Sequence, residues 1–252
     1  MIKVAFIFFL ASLSFSFCKT APSPSNPPAS GFDSPGSDPK AVAIADEVMQ
    51  AMGGRDAWDA THYISWNFFG RRTLLWDKWA GKARIEWTKR PLKIIVDLNN
   101  GTGKVSLNGV EQTHPDSLAK YLDIGKQVWI NDAYWLVMPF KLKDSGVTLK
   151  YLGASATPDG RAADLLQLSF KGVGVTPDNK YQVWVDKQTR LVSYWAYFEK
   201  FSDEKPQLKN AWANYKRCGN ILLSDDRGKT DGSSLAPAQV LESVPAGTFE
   251  RF

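Results

Sequence analysis

The stretch "HYISWNFFGRRTLLWDKWAGKARIEW", His62 to Trp87, decides the fold class and holds four of the chain's ten tryptophans. Its apolar residues recur at every second position, so that Ile64, Trp66 and Phe68 share one face of an extended chain. The corner "FGRRT" divides the stretch into separate strands. The stretch therefore predicts a meander of antiparallel strands.

The same alternation continues toward the C-terminus. Leu92, Ile94, Val96 and Leu98 face one way, and "NNGTG" and "NG" are turn signals between such runs. Further strands are predicted over 147–152 and 163–170 around "TPDG", 181–185 and 191–198 around "DKQT", and within 208–218, 220–226 and 243–252. Strands spaced this closely, with few helices, predict an antiparallel sheet with helices on one face.

Two helices are predicted beside the strands, with a short helical turn at "RDAWDA". The first follows Asp38 as its cap and stops at Gly53 and Gly54. Its apolar face is Val42, Ala45, Val48, Met49 and Met52. The second covers 116–132, although Gly125 weakens it at its centre. Its apolar face is Leu118, Tyr121, Leu122, Val128 and Trp129.

The first eighteen residues carry a targeting pattern. A mostly apolar run from Val4 to Phe17 stops at Cys18. The run is too short to cross a bilayer as a helix, and it suits the core of a secretory signal. The pattern resembles a bacterial lipoprotein signal, in which Cys18 becomes the lipidated first residue. Because Phe17 stands where that motif has a small residue, ordinary cleavage nearby is the alternative.

Residues 19–39 contain six of the fourteen prolines and almost no apolar side chains. We expect this segment to be a disordered tether, followed by a single domain over 40–252. Cys218 is the only other cysteine. It is predicted to be a small buried hydrophobe rather than a disulfide partner or a catalytic thiol.

Composition and spacing narrow the class of function. The net charge of +5 is dispersed, without the basic stripe of a nucleic-acid binder. His62 and His114 lie outside any zinc-type spacing, so no metal and no cofactor are expected. Acidic residues such as Asp225 and Glu199 are predicted to be solvated loop residues. The chain is therefore predicted not to be an enzyme.

The order of the elements resembles a known superfamily. A leading helix, antiparallel strands, a helix with a "YW…P" element (Tyr134, Trp135, Pro139) and the hairpin "YQVWVDKQTRLVSYWAYFE" are similar to the periplasmic lipoprotein carrier and receptor superfamily. More narrowly, "IADEVMQAMGGRDAW" and "SWNFFGRRTLLWDKWAGKARIE" resemble a family of uncharacterised lipoproteins from Gram-negative bacteria.

The superfamily resemblance implies an α+β, mostly β fold. A strongly curved antiparallel sheet, an unclosed barrel, would wrap around one or more helices and leave a cavity for acyl chains. The resemblance implies no catalytic residues. Its functional positions are the residues that line the cavity.

The aromatic residues are the candidates for that lining. Each buried aromatic side chain removes about 150–250 Å² from water, worth about 4–6 kcal/mol before entropy, so most are expected to form core. Others would line a site for an apolar ligand, or stack against sugars. The ligand-binding candidates are Trp66, Phe68, Trp76, Trp79, Trp87, Trp135 and Phe140. Arg71 and Arg72 are weaker candidates for binding a charged head group, with simple solvation as the alternative.

Three functional hypotheses follow. The first is a monomeric envelope lipoprotein, anchored by its N-terminal lipid at the periplasmic face of the outer membrane, which binds an acyl chain, a lipid or a lipidated peptide. The second is a structural or partner-binding module with a fully packed core and no ligand. The third is an envelope hydrolase. A hollow between the sheet and the helix around 118–129 would favour the first hypothesis over the second.

Overall fold

The computed structural model describes residues 26–173 and 178–252. The predicted signal, Cys18 and residues 19–25 lie outside the described residues. The helices are α1 (Pro39–Ala51), α2 (Arg55–Ala60) and α3 (Pro115–Val137), and a 3-10 turn covers Met138–Lys141. The strands are β1 (Tyr63–Asn67), β2 (Arg72–Asp77), β3 (Lys82–Trp87), β4 (Leu92–Asp97), β5 (Gly103–Leu107), β6 (Val110–Glu111), β7 (Val147–Ala156), β8 (Ala162–Phe170), β9 (Lys180–Asp186), β10 (Val192–Phe198), β11 (Leu208–Ala211), β12 (Ala213–Cys218), β13 (Ile221–Asp226) and β14 (Gln239–Leu241).

Hydrogen bonding divides these strands into three antiparallel sheets. The first has the order β14-β1-β2-β3-β4-β5-β6, the second has the order β11-β10-β9-β8-β7, and β12 pairs with β13. Among the described residues no sheet closes into a barrel. The predicted α+β, mostly β fold with antiparallel, unclosed sheets is confirmed. The strands do not form one continuous ladder, however, but two large sheets and a hairpin.

One apolar core joins the two large sheets to the helices. Ile64 of the first sheet and Val183 of the second are fully buried in the same cluster. Val48 of α1 and Leu136 of α3 belong to this cluster too. Both helices therefore pack into the core that the two sheets share.

The sequence pattern of α1 is confirmed with two changes. Ala45, Val48 and Met49 are buried as expected. Val42, predicted to belong to the apolar face, is only partly buried, and Ile44 is buried instead. Asp38 precedes the helix, but its side chain does not cap it. Its carboxylate instead accepts hydrogen bonds from Lys150 Nζ and the backbone N of Tyr151, at 3.1 and 2.9 Å. Asp38 therefore links the start of α1 to β7.

Helix α3 is longer than predicted, and Gly125 does not weaken it. A Cβ at this position would lie 2.7 Å from Cγ2 of Ile94 in β4. Gly125 thus permits a close approach of the helix to the first sheet, and tertiary packing outweighs its poor helix propensity. The glycine that argued against the helix is thus a position where the helix lies close to the sheet.

The folded part starts before Lys40, the boundary predicted from the sequence. The backbone N atoms of Ala29, Asp33 and Asp38 donate to the carbonyl oxygens of Lys143, Val147 and Leu149, at 2.9, 3.0 and 2.9 Å. Strand β7 is an edge strand, so it offers unpaired backbone groups to a passing segment. Side-chain composition misses this pairing because the contacts use the backbone.

The predicted last strand over 243–252 is wrong. The last strand is β14, which pairs with β1, and the residues after it form turns. Pro245 cannot donate to a strand ladder, which disfavours a strand here. The turns are held by Arg84 of β3, which donates to the carbonyl oxygens of Thr248 and Arg251 at 2.9 and 2.8 Å.

A candidate ligand cavity beside helix α3

A cavity of about 270 Å³ lies between the C-terminal half of α3 and the second sheet. Trp129, Ala133, Tyr134 and Val137 line it from the helix, and Val147, Phe170 and Tyr181 line it from the sheet. An apolar cavity of about 150 Å³ is enough to hold benzene. Small-molecule sites generally begin at about 300 Å³. This cavity is thus large enough for a short length of hydrocarbon chain.

The cavity is not where the sequence places it. Around 118–129, the region between α3 and the first sheet is filled by Leu122, Ile94, Val96 and Val105, all buried. The cavity lies further along the helix, from Trp129 to Val137.

Aromatic rings form the wall on the side of the second sheet. Tyr181 stacks on Trp195 with ring centroids 5.0 Å apart, and it meets Phe170 edge to face at 5.6 Å. Tyr134 of α3 lies 5.4 Å from the Tyr181 ring. Because these rings pack on one another, the wall is held in place without a ligand.

The end of α3 is held from the opposite side by Arg227. Its side chain is buried, its guanidinium carbon lies 3.6 Å from the centroid of Trp212, and its Nε donates to the carbonyl oxygen of Trp135 at 3.2 Å. Burial lowers the pKa of Arg227 to about 9. Arg227 thereby fixes the position of Trp135, which lines the cavity.

The lining contains few polar atoms. The hydroxyl of Tyr134 and the Nε1 atoms of Trp76 and Trp129 are buried, and none has a hydrogen-bond partner among the described residues. Burial raises the pKa of Tyr134 well above its usual value, so its hydroxyl stays protonated. Lys141 and Asp144, each about one third exposed, form an ion pair at the solvent side. The two charged side chains of the lining therefore neutralise each other.

Two of the seven predicted ligand-binding residues, Trp76 and Trp135, line this cavity. Trp66 and Phe68 lie in the packed core, where Trp66 is 1% exposed. Phe140 stacks on Trp58 at 4.3 Å and borders a second, smaller cavity of about 100 Å³.

The other two predicted residues lie elsewhere. Trp87 is half-buried and packs against the core under the first sheet. Trp79 is 60% exposed in the turn between β2 and β3. Its ring stacks on His62 at 3.9 Å, and its Nε1 donates to the carbonyl oxygen of Asp59 at 2.9 Å. A ligand role for Trp66, Phe68, Trp79, Trp87 or Phe140 stays a prediction without support from this cavity.

The predicted head-group residues differ from each other. Arg71 is exposed, whereas Arg72 forms a bidentate pair with Asp132, with N–O distances of 2.6 and 2.7 Å. Asp132 is fully buried, and this burial raises its pKa although Arg72 opposes the change. The pair joins β2 to α3, so a head group at Arg72 would have to compete with the carboxylate of Asp132. The head-group role of both arginines stays a prediction.

Sequence reasoning missed most of the lining. Trp129, Ala133, Tyr134 and Val137 recur at helical spacing and so indicate one face of α3. The predicted helix ended at Asp132, which cut this face in two. Continuing the helical pattern to Val137 would have brought these residues together.

Of the two acidic residues expected to be solvated, Asp225 is not, because it is held by hydrogen bonds inside the fold. Asp225 is buried, and its carboxylate accepts from Asn214 Nδ2 and Lys216 Nζ at 2.6 and 3.0 Å. Glu199 is exposed. Within 26–173 and 178–252, no group of three or more His, Cys, Asp or Glu residues is placed to hold a metal ion.

Cys218 is half-buried and is not in a disulfide. Its Sγ lies 3.4 Å from the carbonyl oxygen of Ala238, and burial raises the pKa of its thiol. A raised thiol pKa is the opposite of what a nucleophilic cysteine requires.

No helix in the described part of the chain has the length and apolar character needed to cross a membrane.

The chain is similar to a curated protein of the bacterial envelope. No model of a known protein family matches the chain. The outer-membrane lipoprotein LolB of Xanthomonas euvesicatoria is 24% identical over 144 residues, which cover 50% of this chain and 66% of LolB, just under two thirds of its length. The match confirms the predicted resemblance to the lipoprotein carrier and receptor superfamily.

Among solved structures, a DUF1329 family protein from Desulfovibrio piger matches with a TM-score of 0.46 and 16% identity, over 85% of this chain and 98% of that protein.

Proposed function

We propose that this chain is a lipid-anchored lipoprotein of the bacterial envelope that binds an acyl chain, a lipid or a lipidated peptide in the cavity beside α3. The observation that carries the proposal is the cavity of about 270 Å³ with its apolar, aromatic wall. The similarity to LolB, an outer-membrane lipoprotein, supports an envelope role. The alternative, a structural module with a fully packed core, would not contain such a space.

The apolar lining also favours a ligand energetically. Removing apolar surface from water is worth about 25 cal/mol per Å². A hydrophobic ligand that covers the apolar residues of the lining would therefore be held mainly by the hydrophobic effect.

The anchor is the second part of the proposal. Cys18 ends a run of signal-peptide length, and we place its lipid in the outer membrane with the domain on the periplasmic side. Replacing Cys18 by Ala tests this part. The variant should lose labelled palmitate and leave the membrane fraction, and a variant that keeps both would refute the anchor.

Ligand binding is tested on the full-length chain carrying Cys18→Ser, which removes the site of lipid attachment. Mass spectrometry of an organic extract should show co-purified lipid, and added acyl ligand should displace a fluorescent apolar probe. Ala133→Phe fills the cavity and should abolish displacement, whereas Trp79→Ala, outside the cavity, should leave it unchanged. Thermal denaturation checks that both variants fold. An empty extract and no saturable probe binding would refute the proposal.

A further inference from the structure

Four basic side chains at one end of the molecule have no anionic partner. Arg71, Lys89, Arg90 and Lys229 are exposed, and within the described residues none of them forms an ion pair. Their charge of four nearly equals the net charge of the whole chain, +5. We call these four residues the basic end.

Two turns of the first sheet bring three of these residues together. Arg71 lies in the turn between β1 and β2, and Lys89 and Arg90 lie in the turn between β3 and β4. The backbone N of Thr88 donates to the carbonyl oxygen of Arg71 at 2.9 Å, so the two turns are in contact. The sequence separates these cations, and the sheet places them side by side.

The loop after β13 adds Lys229 to the same end. The backbone N of Phe69 donates to the carbonyl oxygen of Ser234 at 3.0 Å, which fastens this loop to the turn between β1 and β2. Nζ of Lys229 lies 6.0 Å from the centroid of the Trp135 ring, and that ring lies 5.4 Å from the ring of Phe69. Lys229 is therefore a neighbour of the turn that carries Arg71.

Acidic side chains near the two turns are already neutralised. Asp132 is paired with Arg72. Glu86, just before the turn between β3 and β4, is paired with Arg84 and Lys93, with N–O distances of 2.6 and 3.2 Å. Neither carboxylate is free to neutralise the basic end.

Two further acids flank Lys229 in the chain. Asp226 accepts from the backbone N of Gly228 at 2.8 Å, and Asp231 accepts from the backbone N of Ser233 at 2.9 Å. When both are counted as charged against the four cations, two positive charges remain in excess. The basic end is therefore a surface that attracts anions.

Its surroundings favour a lipid bilayer over nucleic acid as the anionic partner. Phe69, Trp87 and Trp135 are half-buried among the basic residues, and aromatic side chains suit the boundary between lipid and water. The four cations lie on loops. A groove of duplex nucleic acid is instead entered by a helix or a β-ribbon.

Resting on the lipid anchor of the proposed function, we infer that the basic end is a docking surface for the anionic headgroups of a bilayer. Asn26, whose side chain donates to Asp46 at 2.8 Å, follows Cys18 by only eight residues, so the anchor holds the domain within reach of a bilayer. Trp135 lines the cavity and borders Lys229. Docking thus brings this side of the cavity toward the membrane.

The test is sedimentation with vesicles of the chain from residue 19 onward, which lacks the predicted signal and Cys18 and keeps every described residue. We expect it to bind vesicles of phosphatidylglycerol and phosphatidylcholine in equal parts, and to bind pure phosphatidylcholine at least tenfold more weakly. Raising the salt from 0.1 to 1 M should release it, because the screening length falls from about 10 Å to about 3 Å.

Replacing the four residues of the basic end by Gln should weaken binding to the anionic vesicles about 100-fold or more, because each basic residue at such a surface contributes about fivefold. The matched control removes the same charge at exposed positions on four other elements or loops. It carries Lys120→Gln, Lys171→Gln, Lys205→Gln and Arg217→Gln. We expect the control to lose less than tenfold, and thermal denaturation checks that both variants fold.

Three results would overturn this inference. They are equal binding to neutral and anionic vesicles, an equal loss in the control variant, and tighter binding to single-stranded DNA than to the vesicles at equal phosphate concentration. Each of them leaves ligand binding in the cavity intact, since displacement of the apolar probe measures that separately. Failure of Cys18 to acquire a lipid in cells would instead refute the anchor, and the inference with it.

Discussion

Replacing Arg72 by Met should destabilise the protein strongly, and more at neutral than at acidic pH. Asp132 is completely buried, and the bidentate contact from Arg72 stabilises its charged form. Methionine keeps most of the apolar stem but removes the cation. Breaking a buried ion pair by removing one partner costs about 3–5 kcal/mol. We expect a loss in that range at pH 7.

The pH dependence follows from the direction of the Asp132 pKa. Burial already raises it above the usual value of 3.8, and losing Arg72 raises it further. The folded variant then holds a proton that the unfolded chain releases near pH 3.8. The penalty is therefore absent below that pH, grows as pH rises toward the folded pKa, and stays constant above it. The stability gap between variant and wild type should be smaller at pH 4.5 than at pH 7.

Urea denaturation of both proteins at the two pH values measures this. The double variant Arg72→Met, Asp132→Leu removes both charges and should recover much of the loss. A loss below about 1 kcal/mol at pH 7, or a gap that does not shrink on acidification, would show that the pair does not carry the contact between β2 and α3.

Three further predictions concern packing and exposure. Gly125→Ala should lower the free energy of unfolding by about 1 kcal/mol, because overpacking against Ile94 exceeds the gain in helix propensity. In an Ile94→Ala background the same change should be neutral or stabilising. Urea titration of the wild type, the two single variants and the double variant measures both effects. Trp79→Ala, at an exposed ring, should cost no more than about 1 kcal/mol, whereas Trp66→Ala in the core should cost about 3–5 kcal/mol; similar melting temperatures for the two would contradict the burial described above. Cys218 should react with a thiol reagent at pH 8 more slowly in the folded protein than in urea, because burial raises its thiol pKa; equal rates would refute this.

The strands were predictable because the alternation of apolar and polar residues along each strand indicates which face is buried. Ile64, Trp66 and Phe68 alternate with polar residues, and all three are buried. The turns "TPDG" and "DKQT" lie between the strands that they were expected to connect. A period of two and a turn signal are properties of neighbouring residues, so one sequence is enough to find them.

The cavity was much less predictable because it depends on distant elements. Trp76 and Tyr181 line the same space from different sheets, and no local pattern records that distance. Nor does the sequence record that Asp132 meets Arg72, sixty positions away. The exposure of Trp79 was missed for the opposite reason. A tryptophan is expected to be buried, but here its nitrogen is held by the backbone of Asp59 while its ring faces solvent.

The attachment of residues 26–38 to the domain shortens the segment between Cys18 and the fold. A free segment from Cys18 to Lys40 would span up to about 79 Å at 3.6 Å per residue. Because the chain is already fastened at Asn26 and Ala29, only eight steps separate Cys18 from the domain. If Cys18 carries the proposed lipid, the segment that joins it to Asn26 is at most about 29 Å long. A segment of that length would keep the domain close to the membrane of the proposed anchor.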